Sequence, residues 1–321
     1  MTAALIIIAA YIWDRIVGDP QAIPHPVIGI GKGIRAVERF IRRISPSERA
    51  LKPLGILLPL VVVGGTYGVT WLVLKGMYHV HDYIGWAAEA LLIGTTIAAK
   101  GLKDAGMAVY RRLKEQDLES ARREVGMIVG RDTEQLDEPE VVRATVETVA
   151  ENIVDAVISP LFFALIGGAP LAMAYRAVNT LDSMVGYKNE KYGNLGWASA
   201  RLDDIANWIP ARMTAVFITV SAWLHRYDAR RACSTALRDA RKHPSPNSGW
   251  AEASAAGALG IRLGGYNVYK GIRSFRAYMG DTQQPLQAEH IPAVCRLLLS
   301  SSTCFVIVAS LLLYICGGWL L

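Results

Sequence analysis

Charge is scarce in this chain: only 19% of its 321 residues are Asp, Glu, Lys or Arg, against about a quarter in soluble domains. Cysteine is sparse too. Cys233, Cys295, Cys304 and Cys316 form no C-x-x-C pair, which argues against a disulfide framework and a cysteine zinc site. Several catalytic signatures are missing. There is no G-x-x-x-x-G-K-[ST] loop, no G-x-S-x-G elbow and no H-E-x-x-H helix, so any ATP is held without a P-loop. Gly29-x-Gly31-Lys32-Gly33 is too short to be one and follows no strand. No useful strand alternation, internal repeat or low-complexity tract is visible, so the expected fold is all-α.

Apolar residues, by contrast, make up 52% of the chain and lie in long runs. Residues 54–74 carry no charge over 21 positions, and 297–321 none over 25; each is long enough to span a bilayer. Gly64, Gly65 and Gly68 in the first run suit close helix contact. Residues 2–17 lack a basic leader and a clear cleavage site, so they read as an uncleaved membrane helix. Residues 85–99 form a shorter candidate span with Glu89 inside it. Two further stretches, 156–175 and 209–224, are spanning or re-entrant, the first with a turn-like Gly167-Gly168-Ala169-Pro170. The expected organisation is a single integral membrane domain over 1–321, a polytopic bundle with cytoplasmic helices and loops carrying the site.

The net charge is +6. Lys and Arg concentrate in 18–53, 100–143 and 225–296, which the positive-inside rule assigns to the cytoplasm. The aromatic-and-basic stripe of a nucleic-acid groove is not evident. Residues 102–129 read as one amphipathic helix, and Asp132 to Pro139 as a helix start with Pro139 in the first turn.

Four polar constellations interrupt the apolar runs. The first is Gly18-Asp19-Pro20 followed by Pro24-His25-Pro26, in which prolines hold His25 in a rigid loop. His25 can act as an acid–base group or donate to a phosphate, and Asp19 can hold a metal or an ammonium; a proline-rich helix exit capped by Asp19 explains the same residues. The second is Glu147, Glu151, Asn152 and Asp155. Spacing by four puts the carboxylates on one helical face, where like charges repel and call for magnesium, an Arg or Lys partner, or a substrate amine. A solvated helix face is the plain alternative.

The third and longest runs through Asn179, Asp182, Lys188, Asn189, Arg201, Asp203, Asp204 and Asn207. Oxygen ligands here suit magnesium on nucleotide phosphates, with Lys188 and Arg201 placed to neutralise phosphate oxygens. Helix capping is the alternative for Asp203 and Asp204. The fourth is His243-Pro-Ser245-Pro-Asn247-Ser-Gly249-Trp250-Ala-Glu252. Ser245 and Asn247 offer hydrogen bonds held by prolines, and Trp250 offers a stacking surface; Asn247 or Ser248 can equally cap a following helix.

Taken in order, these stretches resemble the adenosylcobinamide-phosphate synthase (CbiB/CobD) family of cobalamin biosynthesis. The resemblance rests on Gly18-Asp19-Pro20 to Pro24-His25-Pro26; on Glu151-Asn152-Ile-Val-Asp155 to Ser159-Pro160-Leu161; on Asn179-Thr-Leu-Asp-Ser-Met184 through Lys188-Asn189 to Ala200-Arg201-Leu-Asp-Asp204 and Pro210-Ala-Arg212; and on Ser245-Pro-Asn247, Gly249-Trp250 and Leu263-Gly264-Gly265. It covers nearly the whole chain. It implies an ATP- and magnesium-dependent ligase of the inner membrane, with a site facing the cytoplasm. The acceptor it implies is adenosylcobyric acid, the amine (R)-1-amino-2-propanol phosphate and the product adenosylcobinamide phosphate.

With that chemistry in view, the candidate catalytic residues are His25, Lys188, Arg201 and Asp155. Candidate substrate contacts are Asp19, Asn152, Asn179, Asn189, Arg212, Ser245, Asn247 and Trp250. Candidate metal ligands are Glu151, Asp182, Asp203 and Asp204. Expected partners are the corrinoid, the aminopropanol phosphate and membrane lipid, with a homo-oligomer or other cobalamin-pathway enzymes as protein partners and no nucleic acid. Two rival functions fit the same residues: a magnesium-dependent membrane transferase acting on a phosphorylated lipid, and a non-enzymatic membrane regulator.

Overall fold

The computed structural model describes residues 2–18, 25–44, 48–187 and 189–319. Asp19 and Lys188 lie outside the described residues. The chain opens with α1 (Thr2–Ile16), α2 (Pro26–Ile44), α3 (Glu48–Leu54), α4 (Leu57–Val80) and α5 (Asp82–Gly94). Next come α6 (Ala99–Lys114), α7 (Leu118–Gly126), α8 (Glu138–Ile153), a π turn (Val154–Ile158) and α9 (Ser159–Val185). The remainder is α10 (Trp197–Ala206), α11 (Trp208–Leu224), α12 (Ala229–Asp239), α13 (Ser248–Leu259), strands β1 (Leu263–Tyr269) and β2 (Ile272–Met279), and α14 (His290–Cys316).

The fold is the expected helical membrane bundle. Among the described residues three helical stretches, Ala50–Val80, Glu138–Val185 and His290–Cys316, are long and apolar enough to cross a bilayer. The 24 residues of α4 rise about 36 Å at 1.5 Å each, more than a hydrocarbon core of roughly 30 Å. Leu60, Val69 and Leu72 on α4 face outward, as do Ile307, Leu311 and Ile315 on α14. Exposed apolar rows of this length are what lipid-facing helices present.

The chain divides into two compact units. The first comprises residues 1–98, 159–207 and 306–321. Its core joins α2, α4 and α9 through Ile34, Ile41, Leu58, Ala177 and Leu181, all fully buried. Within it α9 breaks at Gly167–Gly168, where Gly168 takes φ +64°. The break is used: the freed Ala169 N–H donates to Glu89 Oε1 at 3.3 Å, and Tyr78 Oη–H donates to Glu89 Oε2 at 2.5 Å. A carboxyl in an apolar helix is thus satisfied by a neighbour's helix break.

The second unit comprises residues 99–158 and 208–305. Every residue of α13 except Trp250 is buried, and its alanines and Gly257 let α12 approach closely, with the Arg231 backbone against Gly257. Two sequence expectations are corrected here. Residues 102–129 are not one helix: Gln116 takes φ +58° and Asp117 caps α7 by accepting from Ser120 N–H at 2.9 Å. The second correction is the antiparallel β1–β2 hairpin, which the sequence hid because β1 opens Leu-Gly-Gly and β2 exposes residues on both faces. Pro139 does stand in the first turn of α8, behind the Asp137 cap.

Candidate functional site

In the first unit the C-terminal half of α9 and the following α10 bring Asn179, Asp182, Asp203, Asp204 and Asn207 together. Asn207 is fully buried and organises the group. Its Oδ1 accepts from Ser159 Oγ–H at 2.6 Å and from Tyr175 Oη–H at 2.8 Å, which fixes the amide so that Nδ2 donates to Asp203 Oδ2 at 3.0 Å. Asp203 is buried, and its Oδ1 makes no hydrogen bond among the described residues. Burial pushes its carboxyl up to about 7, the charges of Asp182 and then Asp204 push the same way, and the Asn207 and Asn179 amides pull back. Carboxylates that raise one another in this way form a site that gains from a cation.

Asp182 and Asp204 are half-buried at the rim. Arg201 is exposed and pairs with Asp204 only at the long distance of 3.8 Å, so its guanidinium stays open to an incoming anion. Asn189 has a local role: its side chain accepts from Tyr192 N–H at 3.0 Å and closes a turn. His25 does likewise at the start of α2, where Nδ1 accepts from Val27 N–H at 3.2 Å.

In the second unit the carboxylates of α8 have distinct fates. Glu147 is buried between two arginines, accepting from Arg131 at 2.8 Å and Arg143 at 2.9 Å, with Gly264 N–H of β1 also donating at 2.8 Å. The cation that its spacing called for is thus arginine. Glu151 is half-buried and accepts from Ser248 Oγ–H at 2.8 Å. Asn152 is turned onto its own helix, donating to Thr148 O at 2.9 Å. Asp155, half-buried, falls in the π turn, a geometry frequent at functional sites.

The His243–Glu252 segment packs beside Glu151. Ser245 Oγ accepts from Asn247 N–H and Ser248 N–H, so it caps α13 in place of Asn247 or Ser248; Asn247 itself is buried. Ser245 N–H donates to His243 Nδ1 at 3.0 Å, leaving Nε2 3.4 Å from Glu252 Oε1. Burial holds Glu252 well above the usual carboxyl range, and the charges of Glu151 and Glu147 add to it. Burial also lowers His243, against the pull of Glu151. On the rim, the Arg212 guanidinium lies 4.1 Å from the Trp208 ring centre and 5.0 Å from that of Trp250. Two aromatic faces hold that cation ready for an anion.

Sequence reasoning missed Arg131, Arg143 and Asn267, and named His243 and Glu252 as parts of one segment without seeing that they face each other. Arg143, four residues before Glu147, was visible as a helical partner. Arg131 and Asn267 meet only because the hairpin returns to α8, and Asn267 Oδ1 accepts from both arginines.

Magnesium, which the resemblance implies, can be weighed against these donors. Among the described residues no group of three or more His, Cys, Asp and Glu is gathered tightly enough to hold a metal alone. Magnesium commonly takes one or two carboxylates, keeps waters and completes its shell with substrate phosphates. Asp203, with an unpaired buried oxygen and two carboxylate neighbours, fits that donor set.

The CobD/Cbib protein family model matches residues 7–298. A "Cobalamin biosynthesis protein CobD" of Photorhabdus laumondii is 48% identical over 304 residues, 95% of each chain. A protein of the same name from Citrobacter koseri is 50% identical, and "Cobalamin biosynthesis protein CbiB" of Salmonella choleraesuis 49%, each over 294 residues and 92% of both chains. No solved structure gives a significant match. A family match across most of the length, with relatives near half-identical over almost the entire chain, places the protein in the CobD/Cbib family of cobalamin biosynthesis.

Proposed function

We propose that the protein joins adenosylcobyric acid to (R)-1-amino-2-propanol phosphate in an ATP-dependent amide-forming step, giving adenosylcobinamide phosphate. The observation that carries this reading is the Asp182–Asp203–Asp204 set, a crowded oxygen-rich group at the end of an apolar helix, with Arg201 close by. Such a group is suited to a divalent ion and polyphosphate, and a carboxylate must be activated before an amine can displace one of its oxygens. ATP with magnesium supplies that activation when bound.

The chain's own residues divide the remaining work. Asp203 would hold the ion, with Asp182 and Asp204 at its edge. Asn207, locked by Ser159 and Tyr175, keeps Asp203 in place. Arg201 would offset negative charge on the transferring phosphoryl group, the usual electrostatic contribution. In the second unit Arg212, backed by Trp208 and Trp250, would take an anionic substrate group. Glu151 and Asp155 remain there to bind the ammonium and accept its proton, since the amine attacks only when deprotonated. His25 and Asn189 have positioning roles in this scheme, set by the backbone N–H groups they cap. The enzyme would sit in the inner membrane with its site facing the cytoplasm.

The test is to incubate purified protein in detergent with adenosylcobyric acid, ATP, magnesium and each candidate amine, then weigh the corrinoid. A mass gain equal to the amine less water, dependent on ATP, is expected with aminopropanol phosphate. An unchanged corrinoid with every amine, under conditions that preserve the fold, would overturn the proposal.

A further inference from the structure

We propose that the trough between α2 and α4 is a phospholipid site, with one acyl chain along its floor and an anionic headgroup at the C-terminal end of α2. The whole trough belongs to the first unit. One stretch, of about 450 Å3, is lined by Gly29, Ile30, Gly33, Val61, Gly65 and Val69 among others. It shares Val37 and Val61 with a second stretch of about 350 Å3 that reaches Phe40 and Leu57. The lining moves from 26–37 against 61–70 to 36–41 against 57–61, so α2 runs antiparallel along the first half of α4.

Its dimensions suit a lipid tail. From Leu57 to Thr70 the rise is about 20 Å at 1.5 Å per residue, against roughly 15 Å for one leaflet's share of the hydrocarbon core. The floor is open: a Cβ at Gly29, Gly33 or Gly65 would meet nothing within 4 Å. The lining offers little to a polar ligand. Thr66 and Thr70 direct their hydroxyls to Val62 O at 2.7 Å and Thr66 O at 2.8 Å, within their own helix. Val69 in the lining and the neighbouring Leu60 and Leu72 are exposed on a helix of membrane-spanning length, so the trough opens to the side where hydrocarbon is the solvent.

The polar end is supplied by α2. Its last turns carry Arg39 and Arg43, both exposed and without an ion pair among the described residues, whereas Arg42 is held by Glu38 at 3.0 Å. Arg43 lies seven residues, two turns, beyond Ala36, which lines the trough, and so shares its edge; Arg39, whose Nε donates to Arg35 O at 3.2 Å, stands farther round the same flank. Arginines at the mouth of an apolar trough match a phosphate linked to a hydrocarbon chain. A helix from a second copy could also lie along a glycine-lined face, but it would leave both cations without a counter-charge.

The test uses the full chain in nanodiscs containing phosphatidylglycerol with a photoactivatable acyl chain, or phosphatidylcholine with the same chain, followed by peptide mapping. Labelling is expected to concentrate on residues 26–37 and 61–70 over the Leu72 side of α4, which reports ordinary annular lipid. Gly65→Leu, filling the floor, removes the trough label and keeps the Leu72-side label. Gly33→Leu, from the opposite wall, does the same and guards against a folding defect in either variant. Reversing Arg39 and Arg43 to Glu lowers phosphatidylglycerol labelling about tenfold, the effect of roughly 1.4 kcal/mol, and lowers phosphatidylcholine labelling less. Equal labelling of both faces would overturn the site. So would a cross-chain disulfide formed by Gly33→Cys together with an unlabelled trough, which would assign the face to a second copy.

Discussion

Replacing Asp203 by Asn should stabilise the protein while removing its activity. The side chain is buried, and burial with the charges of Asp182 and Asp204 lifts its carboxyl to about 7. An unfolded Asp titrates near 3.9. The folded state therefore binds the proton more tightly, and stability falls as pH rises from about 4 through 7. About three pKa units correspond to roughly 4 kcal/mol lost by pH 8, at about 1.4 kcal/mol per unit. Asparagine keeps the oxygen that accepts from Asn207 Nδ2 and has no charge to bury, so the variant escapes that loss. Thermal unfolding of both proteins in detergent, without added divalent ion, at pH 5 and pH 8 measures the effect. The Asn variant should be about 1.5 kcal/mol more stable than wild type at pH 5 and about 4 kcal/mol more stable at pH 8, so its lead in unfolding midpoint should more than double between the two. Magnesium should raise the wild-type midpoint at pH 8 and leave the variant's unchanged. A variant equally destabilised at both pH values would refute the reasoning, because Asp203 would then be an ordinary structural hydrogen-bonding group.

Three further outcomes follow from particular contacts. Glu147→Ala leaves Arg131 buried without its carboxylate and Arg143 with Glu140 alone, and should cost about 3–5 kcal/mol in denaturant unfolding. Glu252→Gln should unfold at a higher midpoint than wild type at neutral pH, and the gain should shrink toward acid pH, because burial holds the Glu252 carboxyl well above the ordinary carboxyl range and ionisation of the unfolded chain then favours unfolding. Gly168→Ala combines φ +64° with a collision against the Glu89 carboxylate, and should cost at least about 1–3 kcal/mol, read as a lower unfolding midpoint.

The sequence made the helical class and the clearest membrane spans legible, because runs such as 54–74 and 297–321 need no tertiary context. The break at Gly167–Gly168 was equally readable, since two glycines before Ala-Pro are local punctuation. The site was legible as residue types more than as contacts. Asp203 and Asn207, four apart, do meet, because helical spacing is local. Glu147 and Glu151 share that spacing but not a role, because what faces each comes from distant segments: Arg131 and Gly264 for one, Ser248 for the other. The hairpin escaped for the same reason. Its polar inner face is matched by buried arginines, so Asn267 occupies a position where alternation predicts an apolar residue.

The most direct test of ATP-driven activation follows the carboxyl oxygen. Adenosylcobyric acid labelled with heavy oxygen in its free carboxylate is turned over with ATP, magnesium and aminopropanol phosphate, and the released inorganic phosphate is weighed. One labelled oxygen should appear in the phosphate for each amide formed, and none when Asp203→Asn replaces the wild type. Amide formed with unlabelled phosphate would contradict activation of that carboxyl by transfer of a phosphoryl group from ATP.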